Sequence, residues 1–316
     1  MVNLITGGSG LVGSELAHIL LNRDEKVIVF DRVKSKRLSD IENRITFVQG
    51  DLAVWSEVFN VIKEHHVTLI YHMGAMLTFE SEINPWASFH TNVIGTYNVL
   101  EAARLCDVKG MMFTSSIGTF DASLISNHLS DTALQRPRDF YGAGKLYCEG
   151  LGRMYRRKFN LDFRALRYPS VVGPGVATPG HWDAPFIQSV ISGKPGQCPA
   201  IPDHGSPMLY FKDAAKAADD LLKAPIESIK MICYNIGGIS RVTPREIENA
   251  LKKHVENVSI DYVTPPGTPP RMGEITWDDS YARSEWGWSP QFSTIDKVIS
   301  DFIQELKDNS GRYGLA

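Results

Sequence analysis

The sequence predicts an α/β protein, a doubly wound parallel sheet followed by a smaller C-terminal lobe, and three observations predict it. The first half alternates short apolar runs with helix-period patterns, as strands joined by crossover helices do. The first apolar run ends in a glycine turn, Thr6-Gly7-Gly8-Ser9-Gly10-Leu11-Val12-Gly13, that leads straight into a helical pattern. After Tyr168-Pro169 the texture changes, and residues 173–207 become rich in glycine and proline.

Taken in order, Val2–Thr6 reads as a strand, Gly10–Leu21 as a helix, and Lys26–Asp31, Ile45–Gln49 and Thr68–His72 as the next three strands. A long helix is expected from Pro85 to Leu105, then a strand over Gly110–Thr114 that ends in Ser115-Ser116. Another helix is expected over Tyr141–Phe159 and a strand over Leu161–Arg167. Further helical patterns lie near Asp213–Lys223, Pro244–Val255 and Thr294–Leu306, with a second irregular, proline-rich stretch at Thr264–Gly273.

Composition narrows the function. A chain of 316 residues, 43% hydrophobic and 22% charged, can bury a full core. A net charge of -3 gives no electrostatic case for a nucleic-acid partner. No apolar run approaches the roughly 20 residues of a membrane span. The chain enters its first strand at once, leaving no room for a signal peptide, so a cytoplasmic address is expected. Cys106, Cys148, Cys198 and Cys233 are scattered without CxxC spacing and read as reduced thiols. The His65-His66 pair reads as a solvated surface, and no metal-ligand spacing stands out.

The glycine turn carries the first chemistry. Gly7 permits the tight turn, Gly10 the approach of backbone to a pyrophosphate, and Gly13 close packing of helix on strand. The helix start then offers free N–H groups to phosphate oxygens. Asp31 closes the second strand 18 residues beyond Gly13, where a carboxylate accepts from ribose hydroxyls and repels a 2′-phosphate. NAD is therefore expected over NADP, although Arg32 offers a guanidinium that suits that phosphate. Asp51, with Leu52 after the third strand, reads as an anchor for the adenine. The expected division is a dinucleotide-binding domain over residues 1–168, with elements near 204–237 returning to it, and a mainly substrate-binding lobe over 169–316.

Tyr141-Gly-Ala-Gly-Lys145 places a phenol and an ammonium on one face of a helix, a turn apart. A lysine cation and a positive nicotinamide ring would lower the tyrosine pKa, so that Tyr141 can take a proton from a substrate hydroxyl. Ser115-Ser116 closes the preceding strand at the sheet end where open sheets hold ligands, and Ser116 can hold the substrate oxygen there.

Together with Tyr71-His72-Met73-Gly74-Ala75, Asn92-Val-Ile-Gly95-Thr96 and Arg167-Tyr168-Pro169, these motifs resemble the extended short-chain dehydrogenase/reductases, the NAD-dependent epimerase/dehydratase family. The likeness implies a Rossmann fold and a small-molecule substrate. It implies that Met73, Gly74 and Ala75 pass along the dinucleotide with Gly7, Ser9, Gly10, Leu11, Val12, Gly13, Asp31, Arg32, Asp51, Leu52 and Ser115. It further implies that Asn92 opens a helix beside the dinucleotide, that Lys145 with Tyr141 meets the nicotinamide ribose, and that Tyr168 to Val171 border the nicotinamide. A homodimer through the helices near 85–105 and 141–159 is implied as well.

Two occupations compete within that family, beside a cofactor-binding module without turnover, which an intact Ser116, Tyr141 and Lys145 disfavours. Sugar-nucleotide epimerases and dehydratases usually carry an Arg-Asp pair ahead of the strand leading to Asp213. Here Ser206-Pro207 stands in that place, with Arg241 or Arg271 as substitutes for the diphosphate grip. Several runs are more similar to the short-chain L-threonine 3-dehydrogenases: Gln135-Arg136-Pro137-Arg138, Leu161-Asp162-Phe163-Arg164, Pro207-Met208-Leu209-Tyr210 and Trp286-Gly287-Trp288. That branch implies oxidation of the 3-hydroxyl of L-threonine to 2-amino-3-ketobutyrate. The departures are Gly180-His181-Trp182 where the branch carries Gly-Thr-Thr, Thr78 where it carries serine, and Met272-Gly273 where it carries a Trp-Pro pair. Substrate contacts are expected at Thr78, Ser116, Tyr141, His181 and Trp182, with His181 equally open to a place on a surface loop.

Overall fold

The computed structural model describes residues 1–120, 128–176, 178, 181–263 and 276–314. Its main strands are β1 (Val2–Thr6), β2 (Lys26–Asp31), β3 (Thr46–Gln49), β4 (Leu69–His72), β5 (Gly110–Ser116), β6 (Asp162–Tyr168), β7 (Ser170–Val172), β8 (Ser206–Tyr210), β9 (Cys233–Asn235) and β10 (Ile239–Val242). The helices used below are α1 (Leu11–Leu21), α2 (Trp55–Glu64), α3 (Thr78–Ile83), α4 (Pro85–Ser88), α5 (Gly95–Leu105), α6 (Phe140–Phe159), α7 (Asp183–Ile191), α8 (Phe211–Lys223), α9 (Pro244–Leu251), α10 (Ser280–Trp286) and α11 (Ile295–Asp308).

Seven strands form one sheet in the order β9-β6-β5-β4-β1-β2-β3, with every pairing parallel. Strands buried on both faces need near-continuous apolar runs, and β1 and β2 supply them: Leu4 sits between Ile28 and Ile70, all three without exposure. The chain winds outward from β1 through β2 to β3 and then returns to β4. The crevice between β1 and β4 is therefore the switch point where such sheets hold ligands.

Helices α1 and α8 cover one face through Leu16, Leu20, Ala214, Ala218 and Leu221. Helices α2, α5 and α6 cover the other through Val58, Ile62, Val99, Leu100 and Cys148. A third core gathers Phe186, Met208, Ile247 and Phe302 from α7, β8, α9 and α11, next to a small sheet ordered β10-β8-β7. No helix of the described residues is long and apolar enough to cross a membrane.

The expected helix over Pro85–Leu105 is present as α4 and α5 joined by a π-helical segment, Phe89–Ile94. Asn92 lies inside that segment and does not open a helix. Helix α9 stops at Leu251, short of the expected Val255. The proline-rich run Thr264–Gly273, with Arg271 and Met272-Gly273 in or beside it, and Gly180 lie outside the described residues.

Helix α6 has clear local causes. Asp139 caps it by accepting from the Gly142 N–H at 2.6 Å, and its last turn carries Arg156, Arg157 and Lys158 against the negative end of the dipole. Asn160 ends it in the left-handed region at φ 56°. At Gly152 the helix lies against Phe163 of β6 so closely that a Cβ would fall 2.1 Å from a ring carbon. Phe163 is fully buried, so Gly152→Ala should destabilise the fold by about 1–3 kcal/mol, as overpacked cores do. A lower urea midpoint at unchanged slope is the expected result; an unchanged midpoint would show that the ring yields freely.

Candidate active site

A cavity of about 830 Å³ runs along the C-terminal ends of β1, β2, β4, β5 and β6 and reaches segments beyond β7. The glycine turn forms one end. Gly7 has φ +68°, and a Cβ there would meet Gly74 Cα at 2.6 Å; one on Gly13 would meet the Gly7 carbonyl oxygen at 2.6 Å. Backbone is thus packed on backbone, and the start of α1 opens on the cavity through Leu11, Val12 and Gly13. Helix α1 has no side-chain cap and no acidic residue in its first turn, and the buried Ser9 Oγ has no hydrogen-bond partner. Free N–H groups at a positive helix end fit a pyrophosphate, whereas Ser9, expected along the dinucleotide, does not line the cavity.

Asp31 is held by the N–H groups of Ser9 at 3.0 Å and Arg32 at 2.7 Å. Its carboxylate therefore ties the end of β2 to the glycine turn while lining the cavity. Arg32, Asp51, Leu52, Met73, Gly74, Ala75, Ser115 and Tyr168 line the cavity too. The Asp51 carboxylate accepts from the Ala53 N–H at 2.9 Å, and the Tyr168 hydroxyl donates to the Ala214 carbonyl at 2.8 Å. Asn92 is not on the wall. Its amide grips both backbone groups of Met76, accepting from N at 2.8 Å and donating to O at 2.9 Å. It holds the chain after β4 from behind.

Ser116, Tyr141 and Lys145 come together at the other end. Gly142 makes this possible: a Cβ there would lie 2.0 Å from the Gly118 carbonyl oxygen, so its absence lets the first turn of α6 close on the segment after β5. Lys145 is 3% exposed, and its ammonium donates to the Thr114 carbonyl at 2.6 Å, above the Phe113 ring. Burial pushes the Lys145 amine down to about 8, against the opposing pull of Cys148 and Glu149. The expectation of a lowered Tyr141 pKa does not hold for the protein's own groups: burial pushes the phenol up to about 12 against an opposing hydrogen bond with Ser116.

A buried polar chain lies behind the wall at the switch point. His72 Nδ1 meets Thr6 Oγ1 at 2.6 Å, and Nε2 meets Thr96 Oγ1 at 2.9 Å. Thr96 donates onward to the Asn92 carbonyl at 2.6 Å, and the Gly74 N–H donates to Thr6 Oγ1 at 3.3 Å. Since Thr96 gives its proton to Asn92, Nε2 carries the imidazole proton and Nδ1 accepts from Thr6. Burial keeps this ring neutral, pushing it down to about 3.

At the mouth, Thr78 lines the cavity as expected, and so does His181. Trp182 does not. It packs partly buried on the lobe core, edge-on to Phe186 with ring centroids 5.7 Å apart, because the first turn of α7 directs it inward. Glu82 and Thr178 join the wall without having been singled out in the sequence, and Ser170 lines it within the run expected beside the nicotinamide. Glu82 stands four residues beyond Thr78 on α3, a spacing that shares a helix face and was there to be read. One of its oxygens accepts from the Phe140 N–H at 2.8 Å, tying α3 to the start of the catalytic helix.

Comparison with known proteins agrees with this geometry. The profile of the NAD dependent epimerase/dehydratase family matches residues 3–237. The mitochondrial L-threonine 3-dehydrogenase of Bos taurus is 31% identical over 305 residues, covering 94% of this chain and 80% of that protein. A GalE-like L-threonine dehydrogenase from Cupriavidus necator, solved in a holo form, superposes with a TM-score of 0.86 at 28% identity, covering 96% and 99% of the two chains. A UDP-glucose 4-epimerase from Thermus thermophilus, solved with NAD, superposes with a TM-score of 0.80 at 25% identity, covering 96% and 99%.

Asp31→Ala removes the acceptor for two backbone N–H groups as well as the proposed ribose partner. NAD affinity should fall by about 1.5–3 kcal/mol, the worth of hydrogen bonds to a charged acceptor, and the preference over NADP should narrow because Arg32 stays. Fluorescence titration with both dinucleotides checks this; equal wild-type affinity for the two would remove Asp31 from the selection.

Proposed function

The chain belongs to the NAD dependent epimerase/dehydratase family and is an NAD-dependent oxidoreductase of the extended short-chain type; we propose that its reaction is oxidation of the secondary hydroxyl of a small hydroxy acid or amino acid, with L-threonine as substrate and 2-amino-3-ketobutyrate as product. The observation that carries this is the convergence of Ser116, Tyr141 and Lys145 in the same cavity as the glycine turn.

When bound, NAD supplies a hydride acceptor and a positive charge in the cavity that holds the Tyr141 phenol. Ser116 then donates to the substrate oxygen, and Tyr141, as phenolate, takes the hydroxyl proton while the C–H electron pair leaves the carbon. Lys145 keeps a cation at the inner end of the cavity and steadies the ribose side. Residues 1–168, with 204–237, bind the dinucleotide, and the later lobe binds substrate.

The wall near Tyr141 favours a small polar substrate. Thr78, Ser170 and Thr178 offer hydroxyls, Glu82 a carboxylate for an ammonium, and His181 a ring that can face a carboxylate. A second diphosphate finds little there. Among the described lining residues the cations are Arg32, at the glycine-turn end, and Lys145. Arg241 is exposed and donates to the Asp203 carbonyl, away from the cavity.

The four cysteines are unpaired, which suits the reducing cytoplasm as the place of work. A homodimer is also proposed: Trp86, Phe89, Tyr97 and Tyr147 stand exposed on α4, the π segment, α5 and α6, more aromatic surface than a monomer's helices usually present. Sedimentation at micromolar concentration should give twice 35.2 kDa, and a monomer would discard the dimer.

NAD reduction measured with L-threonine, L-serine, other 3-hydroxy acids and UDP-sugars tests the reaction. Threonine should be turned over best, and Tyr141→Phe should lower turnover about 10²-fold or more with NAD binding kept. Interconversion of UDP-sugars without NAD reduction by any hydroxy acid would replace the proposal with the epimerase reading. His181→Ala should raise KM for the amino acid about ten-fold, whereas Trp182→Ala should leave KM alone and lower stability by about 1–3 kcal/mol. The reverse pattern would put the indole at the substrate.

A further inference from the structure

Two turns beyond Tyr141 on α6, Glu149 is 1% exposed. Its Oε1 accepts from the Arg167 Nε at 2.8 Å and its Oε2 from Arg167 Nη2 at 2.7 Å, a two-pronged pair. Gln135 Nε2 reaches Oε2 at 3.4 Å. The same Oε1 takes a further bond from Ser115 Oγ at 2.6 Å. The pair with Arg167 already satisfies the charge, so the Ser115 bond is additional, and it is the one that reaches the active site. Ser115 precedes Ser116 on β5, and Lys145 lies one turn before Glu149 on α6. Two desolvated charges are a poor means of filling a core, since apolar residues of similar volume often serve stability as well or better. Their bond to Ser115, next to Ser116, and their place one turn beyond Lys145 point to work in the relay.

We propose that Glu149 is a positioning residue of the proton relay: through Ser115 it fixes the end of β5 that carries Ser116, and its buried charge sustains the ammonium form of Lys145. This rests on the Ser116–Tyr141–Lys145 reading above.

The groups around the two residues single out that charge. Lys145 is faced by His72 from β4 and by Cys148 and Tyr141 on its own helix; Glu149 is faced by Arg167 from β6, Cys233 from β9, Ser115 from β5, Gln135 from the loop before α6 and Arg153 on α6. Asp131 acts on Arg167 from the far side. His72 is neutral, and burial pushes the Cys148 and Cys233 thiols up to about 11 and about 12, so they are uncharged at working pH. Glu149 itself stays ionised because Arg167 and Ser115 outweigh its burial. It is then the anion acting on Lys145 among the described residues.

The sign follows. Glu149→Gln removes an anion beside an amine that burial already pushes down, so Lys145 gives up its proton at lower pH. The alkaline limb of kcat/KM, set by loss of the Lys145 proton, should move to lower pH by about half a pH unit or more. Ser115→Ala removes the bond and keeps the charge; it should lower kcat about ten-fold with the alkaline limb unmoved.

The experiment records these profiles between about pH 6 and 10 on the best substrate, for wild type, Glu149→Gln, Ser115→Ala and Tyr141→Phe. A Glu149→Gln profile that superposes on wild type, at full or uniformly reduced rate, overturns the charge role, and a Ser115→Ala kcat equal to wild type overturns the positioning role. If Glu149→Gln does not fold, Ser115→Ala decides alone. Full turnover in Tyr141→Phe sinks the relay itself, which separates failure of that reading from failure of this proposal.

Discussion

Arg167 carries a guanidinium into the sheet with no exposure to solvent, and five residues are arranged to receive it. Glu149 of α6 takes its two-pronged face, the Asp131 carbonyl accepts at 3.1 Å and Gln135 at 3.4 Å from the approach to α6, and Asn235 of β9 accepts at 3.2 Å. The Phe120 ring lies 5.3 Å away, after β5. A buried guanidinium left without a partner costs about 3–5 kcal/mol, so each acceptor has to arrive in register. The loop that delivers Tyr141 thus shares its reference point with the strand that delivers Ser116. Slippage of α6 by one residue would turn Glu149 away from Arg167 and Tyr141 away from Ser116 together.

A second polar system performs the same task at the dinucleotide end, without net charge. The neutral His72 ring joins β1 through Thr6 to the π segment through Thr96 and Asn92, and Asn92 in turn holds Met76. The wider π turn places Asn92 against the chain after β4, where its amide can reach both backbone groups of one residue. Gly7 and Gly74 can then touch backbone to backbone, which a side chain at either place would prevent. Fixed protein dipoles are set before any ligand arrives, so little reorganisation is left for binding.

How far the sequence was legible depended on where each fact was encoded. The bounds of β1 and β2 were readable to the residue, because their apolar runs stop at Gly7 and Asp31, groups that sheet interiors do not tolerate. The glycine turn and the Tyr141–Lys145 spacing were readable because both are local. The direction of Trp182 was not, since its packing against Phe186 is decided by the lobe core. Nor was the π turn: helical periodicity is the same on either side of one inserted residue. The Tyr141 phenol shows the same limit in electrostatics. A lysine four residues on suggests a depressed pKa, but burial of the phenol by the surrounding fold raises it, a tertiary fact.

The proposed substrate rests on where the cavity can neutralise charge. Its glycine-turn end suits one pyrophosphate, with the uncapped start of α1 and with Arg32 nearby. A substrate bearing its own diphosphate would desolvate about two further negative charges at the far end, each needing a cation or N–H partner. There the wall presents hydroxyls, the Glu82 carboxylate and one imidazole. Glu82 would repel that diphosphate and attract an ammonium, while His181 and the hydroxyls can serve a carboxylate. Under the proposed reaction, the same residues that would disfavour a sugar nucleotide would favour a zwitterion, so one arrangement of charge would serve both selections.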